Sequence, residues 1–162
     1  LWSIDFTGLK ILESEPDIFV GYYPREWDPM SIRTGVSGIF QDKQNNYWIY
    51  NEYGGLGISI ASKGFNNIHT YAKEYLQLRN VQANSIAEDE LLNLWVGKSN
   101  GGIIVYDHIN YANYEFKHDA NNKYSIGNGS VLCFHKDRQN VMWVGTYSGG
   151  LQYYDRSTNR FI

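Results

Sequence analysis

Cysteine and clustered positive charge are scarce in this sequence of 162 residues, and each scarcity excludes a class of protein. The single cysteine, Cys133, cannot form an intrachain disulfide, so no disulfide framework is expected to hold the fold. Lys and Arg number 14 against 17 Asp and Glu, which gives a net charge of -3, and the basic residues are scattered singly. A nucleic-acid partner requires a concentrated basic patch that displaces counterions from phosphates. We therefore expect no nucleic-acid partner.

Long apolar runs and catalytic motifs are missing as well. No run of eighteen apolar residues is present, so no membrane-spanning segment is expected in this piece. The four histidines lack the HxxxH and HExxH spacings of metal sites, and there is no GxSxG motif and no phosphate-binding glycine loop that opens a helix. We expect no metal, no cofactor and no catalysis. The sequence begins at Leu1 without an initiator Met, which favours a piece of a longer protein.

Aromatic residues and glycine are abundant, whereas proline is rare. Aromatic residues make up 16% of the chain, with 14 Tyr and 5 Trp, and there are 16 Gly against 3 Pro. Aromatic side chains suit a pleated, half-buried surface, and Gly supplies turn conformations. The composition predicts a protein of strands and turns.

One pattern of residue types occurs three times, at intervals of 47 and 48 residues. Each copy contains an aspartate, then a tryptophan six residues later, then a glycine pair that opens with Gly54, Gly101 or Gly149. The aspartates and tryptophans are Asp42, Asp89, Asp137, Trp48, Trp95 and Trp143. A fixed period of this length is typical of repeat proteins built from small sheets.

Each period contains four short strands separated by turn signals. In the first complete copy these strands are expected at residues 36–40, 47–50, 56–60 and around 68–71. Earlier strands are expected at residues 1–5 and 18–23, and Phe161 opens a last, incomplete strand. Four antiparallel strands per period is the number in a propeller blade, and no segment shows the spacing of an amphipathic helix. The fold expected is an all-β propeller fragment of about three and a half four-stranded antiparallel blades. Its units are a partial blade at 1–35, blades at 36–80 and 81–130, and a blade at 131–162 that lacks part of its last strand.

The repeated residues resemble the two-component regulator propeller repeat. The resemblance is carried by W-V-G-T-Y-S-G-G-L-Q-Y-Y-D from Trp143, by N-L-W-V-G from Asn93, and by the connection S-I-G-N-G from Ser125. Two positions depart from the family pattern: Leu92 replaces the turn glycine, and Tyr50-Asn51 replaces the Gly-Thr pair.

This resemblance implies an extracytoplasmic, periplasmic sensor segment of a bacterial two-component regulator, often a hybrid histidine kinase. Such a segment would recognise a carbohydrate or another nutrient and would itself not be an enzyme. Two alternatives remain open at this stage. One is an enzymatic propeller, such as a lyase or a glycoside-active domain, and the other is a propeller that serves only receptor assembly.

The repeated aspartates have a structural and a catalytic interpretation. A ring of carboxylates could bind a metal or transfer protons, but residues at one fixed phase of every repeat are expected to cap turns, because catalytic residues break repeat symmetry. Cys133 takes the position of Gly38 and Ser85 in the other copies. We therefore expect it to be a small buried residue.

Ligand-binding candidates come from loops, which carry function when a rigid scaffold positions them. Aromatic side chains can stack on a sugar ring, and amides and amines can form hydrogen bonds with its hydroxyls. The candidates are Trp27, Tyr53, Lys98, Asn100 and Tyr147. The partner expected is an oligosaccharide or a small molecule. Since three and a half blades cannot close a ring, self-association or flanking blades are also expected.

Overall fold

The structure is a computed structural model that describes residues 2–5, 7–12, 18–25, 27, 31–32, 35–51, 56–60, 64–67, 81–107, 109–110 and 112–162. The chain forms two compact units, residues 1–82 and 83–162. All regular elements in the described ranges are antiparallel strands, which confirms the all-β propeller fragment. No helix in these ranges has the length and apolar character needed to span a membrane.

The first unit contains two sheets. The first sheet has three strands, β1 (Trp2–Asp5), β2 (Gly8–Leu12) and β3 (Phe19–Tyr22), in sequential order. The second has four, β4 (Val36–Gln41), β5 (Tyr47–Asn51), β6 (Leu56–Ile60) and β7 (Gly64–Asn67). Strand β2 was not predicted. The fourth strand of the second sheet ends at Asn67, and the predicted strand at residues 68–71 lies outside the described residues.

The second unit contains two four-stranded sheets, each in sequential order. One consists of β8 (Ala83–Glu88), β9 (Leu94–Lys98), β10 (Ile103–Asp107) and β11 (Ala112–Phe116). The other consists of β12 (Val131–Lys136), β13 (Met142–Thr146), β14 (Gly150–Asp155) and the short β15 (Arg160–Phe161). The boundaries proposed above for the individual blades stay predictions.

The first hairpin of each four-stranded sheet is closed by its repeated aspartate. One carboxylate oxygen accepts backbone hydrogen bonds from the turn, and the other accepts the indole N–H of the tryptophan six residues later. The indole distances are 2.8 Å for Trp48 to Asp42, 3.1 Å for Trp95 to Asp89 and 2.9 Å for Trp143 to Asp137. A buried indole N–H requires an acceptor, so the spacing of six residues couples the turn to the core.

Trp95 lies at the centre of the core of the second unit and is fully buried. Its ring contacts Phe134 and Tyr154 of the last sheet at centroid distances of 6.2 and 5.2 Å, in edge-to-face geometry. Burial of such a side chain stabilises the fold by about 1.5 to 3 kcal/mol. Ile126, in the connection between the two sheets, is also fully buried in this cluster. The connection is therefore anchored to the core, and this anchor positions the loops described next.

Candidate functional site

The five loop candidates are distributed over both units. Trp27 belongs to the first unit, where it is 82% exposed, and Tyr53 lies outside the described residues. Lys98, Asn100 and Tyr147 belong to the second unit. These three lie in or beside loops that contact one segment, residues 127–130, which we call the linker.

Two loops flank the linker and are hydrogen-bonded to it. On one side, the hydroxyl of Ser130 donates to the carbonyl of Ser99, in the loop between β9 and β10. On the other side, the backbone N–H of Tyr147 donates to the carbonyl of Ser130 at 2.9 Å, and the Ser148 hydroxyl donates to the carbonyl of Asn128 at 3.0 Å. The candidates on separate loops thus share one scaffold.

A groove with a volume of about 330 Å³ opens between the β9–β10 loop and the connection that follows β11. It is lined mainly by polar side chains and glycines: Lys98, Asn100, Gly101, Gly102, Lys117, His118, Gly127, Asn128 and Gly129. Two sequence candidates, Lys98 and Asn100, therefore line the groove, and we refer to it as the linker groove. Its volume falls within the range of small-molecule sites.

Glycine is required where the groove wall turns. Gly101 and Gly102 have φ values of +91° and +83°, in the left-handed region that favours glycine. A Cβ at Gly102 would lie 2.6 Å from the carbonyl oxygen of Phe116, and one at Gly101 would lie 3.2 Å from that of Gly129. The repeated glycine pair therefore lets the loop approach the neighbouring backbone.

One carboxylate and two ammonium groups determine the charge of the linker groove. Glu115 on β11 forms an ion pair with Lys98 through Oε1, and Oε2 lies 3.0 Å from Nζ of Lys117. Burial opposes ionisation of Glu115, but the hydrogen bonds from Lys98 and Lys117 outweigh it and lower the pKa of Glu115. Because the two lysines share one carboxylate, this cluster carries one positive charge in excess.

His118 is held at the edge of the same groove. Its Nδ1 lies 3.0 Å from the carbonyl oxygen of Ile126, so this nitrogen carries a proton and donates to the carbonyl. The other ring nitrogen remains available to a ligand hydroxyl. Ile126 is buried, and it therefore fixes the position of the imidazole through the backbone.

Sequence reasoning missed Glu115, Lys117, His118 and Asn128 as members of this site. Lys98 and Glu115 lie on strands that are separated by β10. Their proximity depends on strand register, which the sequence does not specify. A usable signal was Ile126, an apolar residue within the polar stretch 119–130, since such a residue anchors a connection to the core.

The opposite end of the second unit has a smaller cavity, with a volume of about 200 Å³, beside Glu90, Asn140, Tyr153 and Arg156. Arg156 is committed there to Asp89 and Glu90, at 2.8 and 3.0 Å. No group of three or more His, Cys, Asp or Glu suited to a metal ion occurs in the described part of the chain.

The expectation that Cys133 is buried was wrong, because the residue is exposed. Cys133 pairs with Gly145 across β12 and β13, and its Sγ covers the space that a side chain at Gly145 would need. It lies on the outer face of the last sheet, which the described residues leave uncovered. Residue 133 has a small side chain because it packs over Gly145, and a small side chain at this position need not be buried.

Comparison with known proteins supports the sequence resemblance. Residues 125–148 match the two component regulator propeller family, which confirms the recognition of that repeat in this segment. No curated protein matches the chain.

Solved structures that share the fold include three extracellular domains. The extracellular domain of the hybrid two component system BT3049 from B. thetaiotaomicron is 24% identical with a TM-score of 0.77, over 99% of this chain and 21% of that one. The corresponding domain of BT4673 is 24% identical with a TM-score of 0.71, over 95% and 20%. A BT4673 extracellular domain named as part of a one component system is 19% identical with a TM-score of 0.51, over 95% and 26%. The chain thus spans about a fifth of the length of the first two structures.

Proposed function

We propose that this chain is a ligand-sensing segment of the extracytoplasmic part of a bacterial two-component regulator of the hybrid histidine kinase type. It recognises a carbohydrate or another nutrient and catalyses no reaction on it. The family match at residues 125–148 supports this proposal, together with the similarity to extracellular domains of hybrid two component systems.

The observation that carries the proposal is the convergence of the two loops on the linker. Lys98 and Asn100 lie on one side of the linker and Tyr147 on the other, and Tyr147 is 79% exposed. An exposed aromatic ring can stack on the apolar face of a sugar, and amide and amine groups on the neighbouring loop can bind its hydroxyls. Contact with a ligand here would shift the population of two receptor arrangements.

The turn geometry favours binding over catalysis. Acid–base chemistry on a sugar requires a pair of carboxyl groups that flank the scissile bond. Both oxygens of Asp89 and of Asp137 accept hydrogen bonds from turn or indole N–H groups. These carboxylates therefore serve the hairpins, as expected for residues repeated in phase.

A glycan-array experiment combined with a hydrolysis assay tests this function on the 162-residue chain. We expect binding to at least one class of oligosaccharide and no turnover. Tyr147→Ala should weaken the binding, whereas Tyr124→Ala, a change of the same kind in the polar connection, should not. Turnover of any bound oligosaccharide would favour the enzymatic alternative, and an array without binding would contradict the proposal.

Assembly through the last sheet is a second proposal, and a different observation supports it. Trp143 lies at the position equivalent to Trp95, and its ring contacts Tyr153 at 5.3 Å. Trp95 is covered by the next sheet, whereas Leu151, which shares a face with Trp143, is 67% exposed. We propose that this face packs against another blade, supplied by a second copy or by flanking sequence.

Light scattering tests this packing on the 162-residue chain. Self-association is expected, and Leu151→Lys should reduce it by placing a charge on the apolar face. A monodisperse monomer at micromolar concentration would contradict packing against a second copy.

A further inference from the structure

We propose that the linker groove binds the carboxylate of an acidic sugar. This inference deepens the proposed function and depends on it, because it assigns a chemical class to the ligand of the same loop face. Its basis is the charge of the groove, the accessibility of that charge and the arrangement of the neutral polar groups.

The excess positive charge is the first argument. Lys98 and Lys117 both face Glu115, so a single carboxylate compensates two ammonium groups. The Lys98 side chain is only 16% exposed, so most of it is shielded from water. A second carboxylate would form charge-assisted hydrogen bonds with these donors, which are about twice as strong as those between neutral groups.

Access to the charge is the second argument. The Lys117 side chain is 72% exposed, so its ammonium can move from Glu115 to a ligand while Lys98 stays paired with Glu115. Gly101, Gly102 and Gly129 in the lining lack side chains that would fill the space beside the lysines. The groove therefore has room for a sugar residue next to the ammonium groups.

Neutral donors and acceptors are the third argument. Asn100 and Asn128 contribute amides to the lining, and His118 presents its second ring nitrogen while Nδ1 is held by Ile126. Amide and imidazole groups suit the hydroxyls of a sugar ring, whereas a simple inorganic anion would leave them unused. The combination of charge and neutral polar groups distinguishes an acidic sugar from a neutral sugar and from a free anion.

The experiment uses matched pairs of oligosaccharides. Uronic-acid oligosaccharides and their carboxyl-reduced, neutral counterparts are arrayed together, and the best-binding pair is measured with the 162-residue chain by calorimetry. The acidic member should bind about tenfold more tightly or better, because each lost charged hydrogen bond costs about tenfold or more in affinity. Sodium acetate, as a free carboxylate, should bind at least tenfold more weakly than the acidic sugar.

Three variants locate the effect. Lys98→Gln and Lys117→Gln should each lower the affinity for the acidic sugar about tenfold and should lower the affinity for the neutral counterpart much less. Lys117 is largely exposed, so its replacement keeps the test valid if Lys98→Gln folds poorly. Arg138→Gln removes the same charge in the exposed turn between β12 and β13 and should change neither affinity.

The outcomes separate this inference from the function on which it depends. Equal affinity for the acidic and neutral members, or binding only to neutral sugars, would overturn the inference and leave carbohydrate sensing intact. Acid-selective binding that Lys117→Gln does not reduce would also overturn it. An array without any bound sugar would overturn the proposed function together with the inference.

Discussion

The guanidinium group of Arg156 donates a hydrogen bond of 2.8 Å to Oδ2 of Asp89 and lies 3.0 Å from Oε1 of Glu90. Arg156 follows β14 in the last sheet, whereas Asp89 closes the first hairpin of the preceding sheet. Asp89 is 1% exposed, and the same oxygen also accepts the N–H of Trp95. One carboxylate therefore holds its own turn, positions the core indole and docks the next sheet.

The replacement Asp89→Asn should destabilise the second unit. An asparagine has one carbonyl oxygen in place of the two charged carboxylate oxygens. Its N–H₂ group would face hydrogen-bond donors that need an acceptor. We expect a loss of about 1.5 to 3 kcal/mol in the free energy of unfolding, the usual contribution of a hydrogen bond to a charged group. Urea denaturation measures it. Asp137→Asn is the matched control and should cost less, because Asp137 is bonded only to its own turn and Trp143 among the described residues.

The stability of the chain should also decrease in acid. Burial opposes ionisation of Asp89, but hydrogen bonds from Trp95, Arg156 and Asn93 outweigh it and lower the pKa of the carboxyl. A lowered pKa in the folded state stabilises the protein above the unfolded value of about 3.9, and that stabilisation is lost as the pH falls through the folded value.

Urea midpoints between pH 7 and pH 3 measure this acid dependence. We expect constant midpoints down to about pH 5 and a decrease below about pH 4. The decrease should be smaller in Asp89→Asn, which has no carboxyl to titrate at this position. An unchanged slope in the variant would show that other groups, such as Asp155 with its own lowered pKa, account for the acid sensitivity.

Leu92 occupies a turn position that requires a left-handed backbone. Its φ is +66°, and the equivalent residues in the other two hairpins are Asn45 and Asn140, with φ values of +64° and +63°. A left-handed conformation costs a residue with a large side chain about 1 to 2 kcal/mol, and asparagine tolerates it better. Leu92→Asn should therefore stabilise the chain by about 1 kcal/mol. The reverse change Asn140→Leu should destabilise it, and thermal melts of both variants test the pair.

The architecture was predictable because the same marker residues recur at the same positions in each repeat. The aspartate and the tryptophan six residues later form a bonded pair in all three hairpins, and the glycine pair at 101–102 requires positive φ. Strand β2 was missed because it lacks these markers. Its entry turn depends instead on Asp5, whose Oδ1 accepts the backbone N–H groups of Thr7 and Gly8.

The candidate site was only partly predictable. Lys98 and Asn100 could be selected because they precede a repeated glycine pair in the sequence. Their partners could not, since Glu115 meets Lys98 only through the register of three strands, and His118 is placed by the carbonyl of the buried Ile126. Turn chemistry is local, whereas a groove between a loop and a linker depends on tertiary packing.

Tyr50 and Gly38 show how the first complete repeat accommodates its departure from the family pattern. The two residues are cross-strand partners, and a Cβ at Gly38 would overlap the Tyr50 ring. In the next sheet the equivalent partners are Ser85 and Gly97, so the larger residue lies on the first strand and the glycine on the second. A Cβ at Gly97 would overlap the Ser85 side chain and would lie 2.6 Å from Cγ1 of Val131. Each pair therefore contains one glycine, and the two positions compensate each other in size.

This compensation predicts strong coupling between the two positions. Gly38→Ser alone should cost about 1 to 3 kcal/mol through overpacking. In the Tyr50→Gly background the same change should cost much less, because the double variant reproduces the Ser85–Gly97 pair. A double-mutant cycle by urea denaturation measures the coupling energy. Tyr47→Ala serves as the control background, since Tyr47 pairs with Gln41, and Gly38→Ser should retain its full cost there. Additive effects of Gly38→Ser and Tyr50→Gly would contradict size compensation.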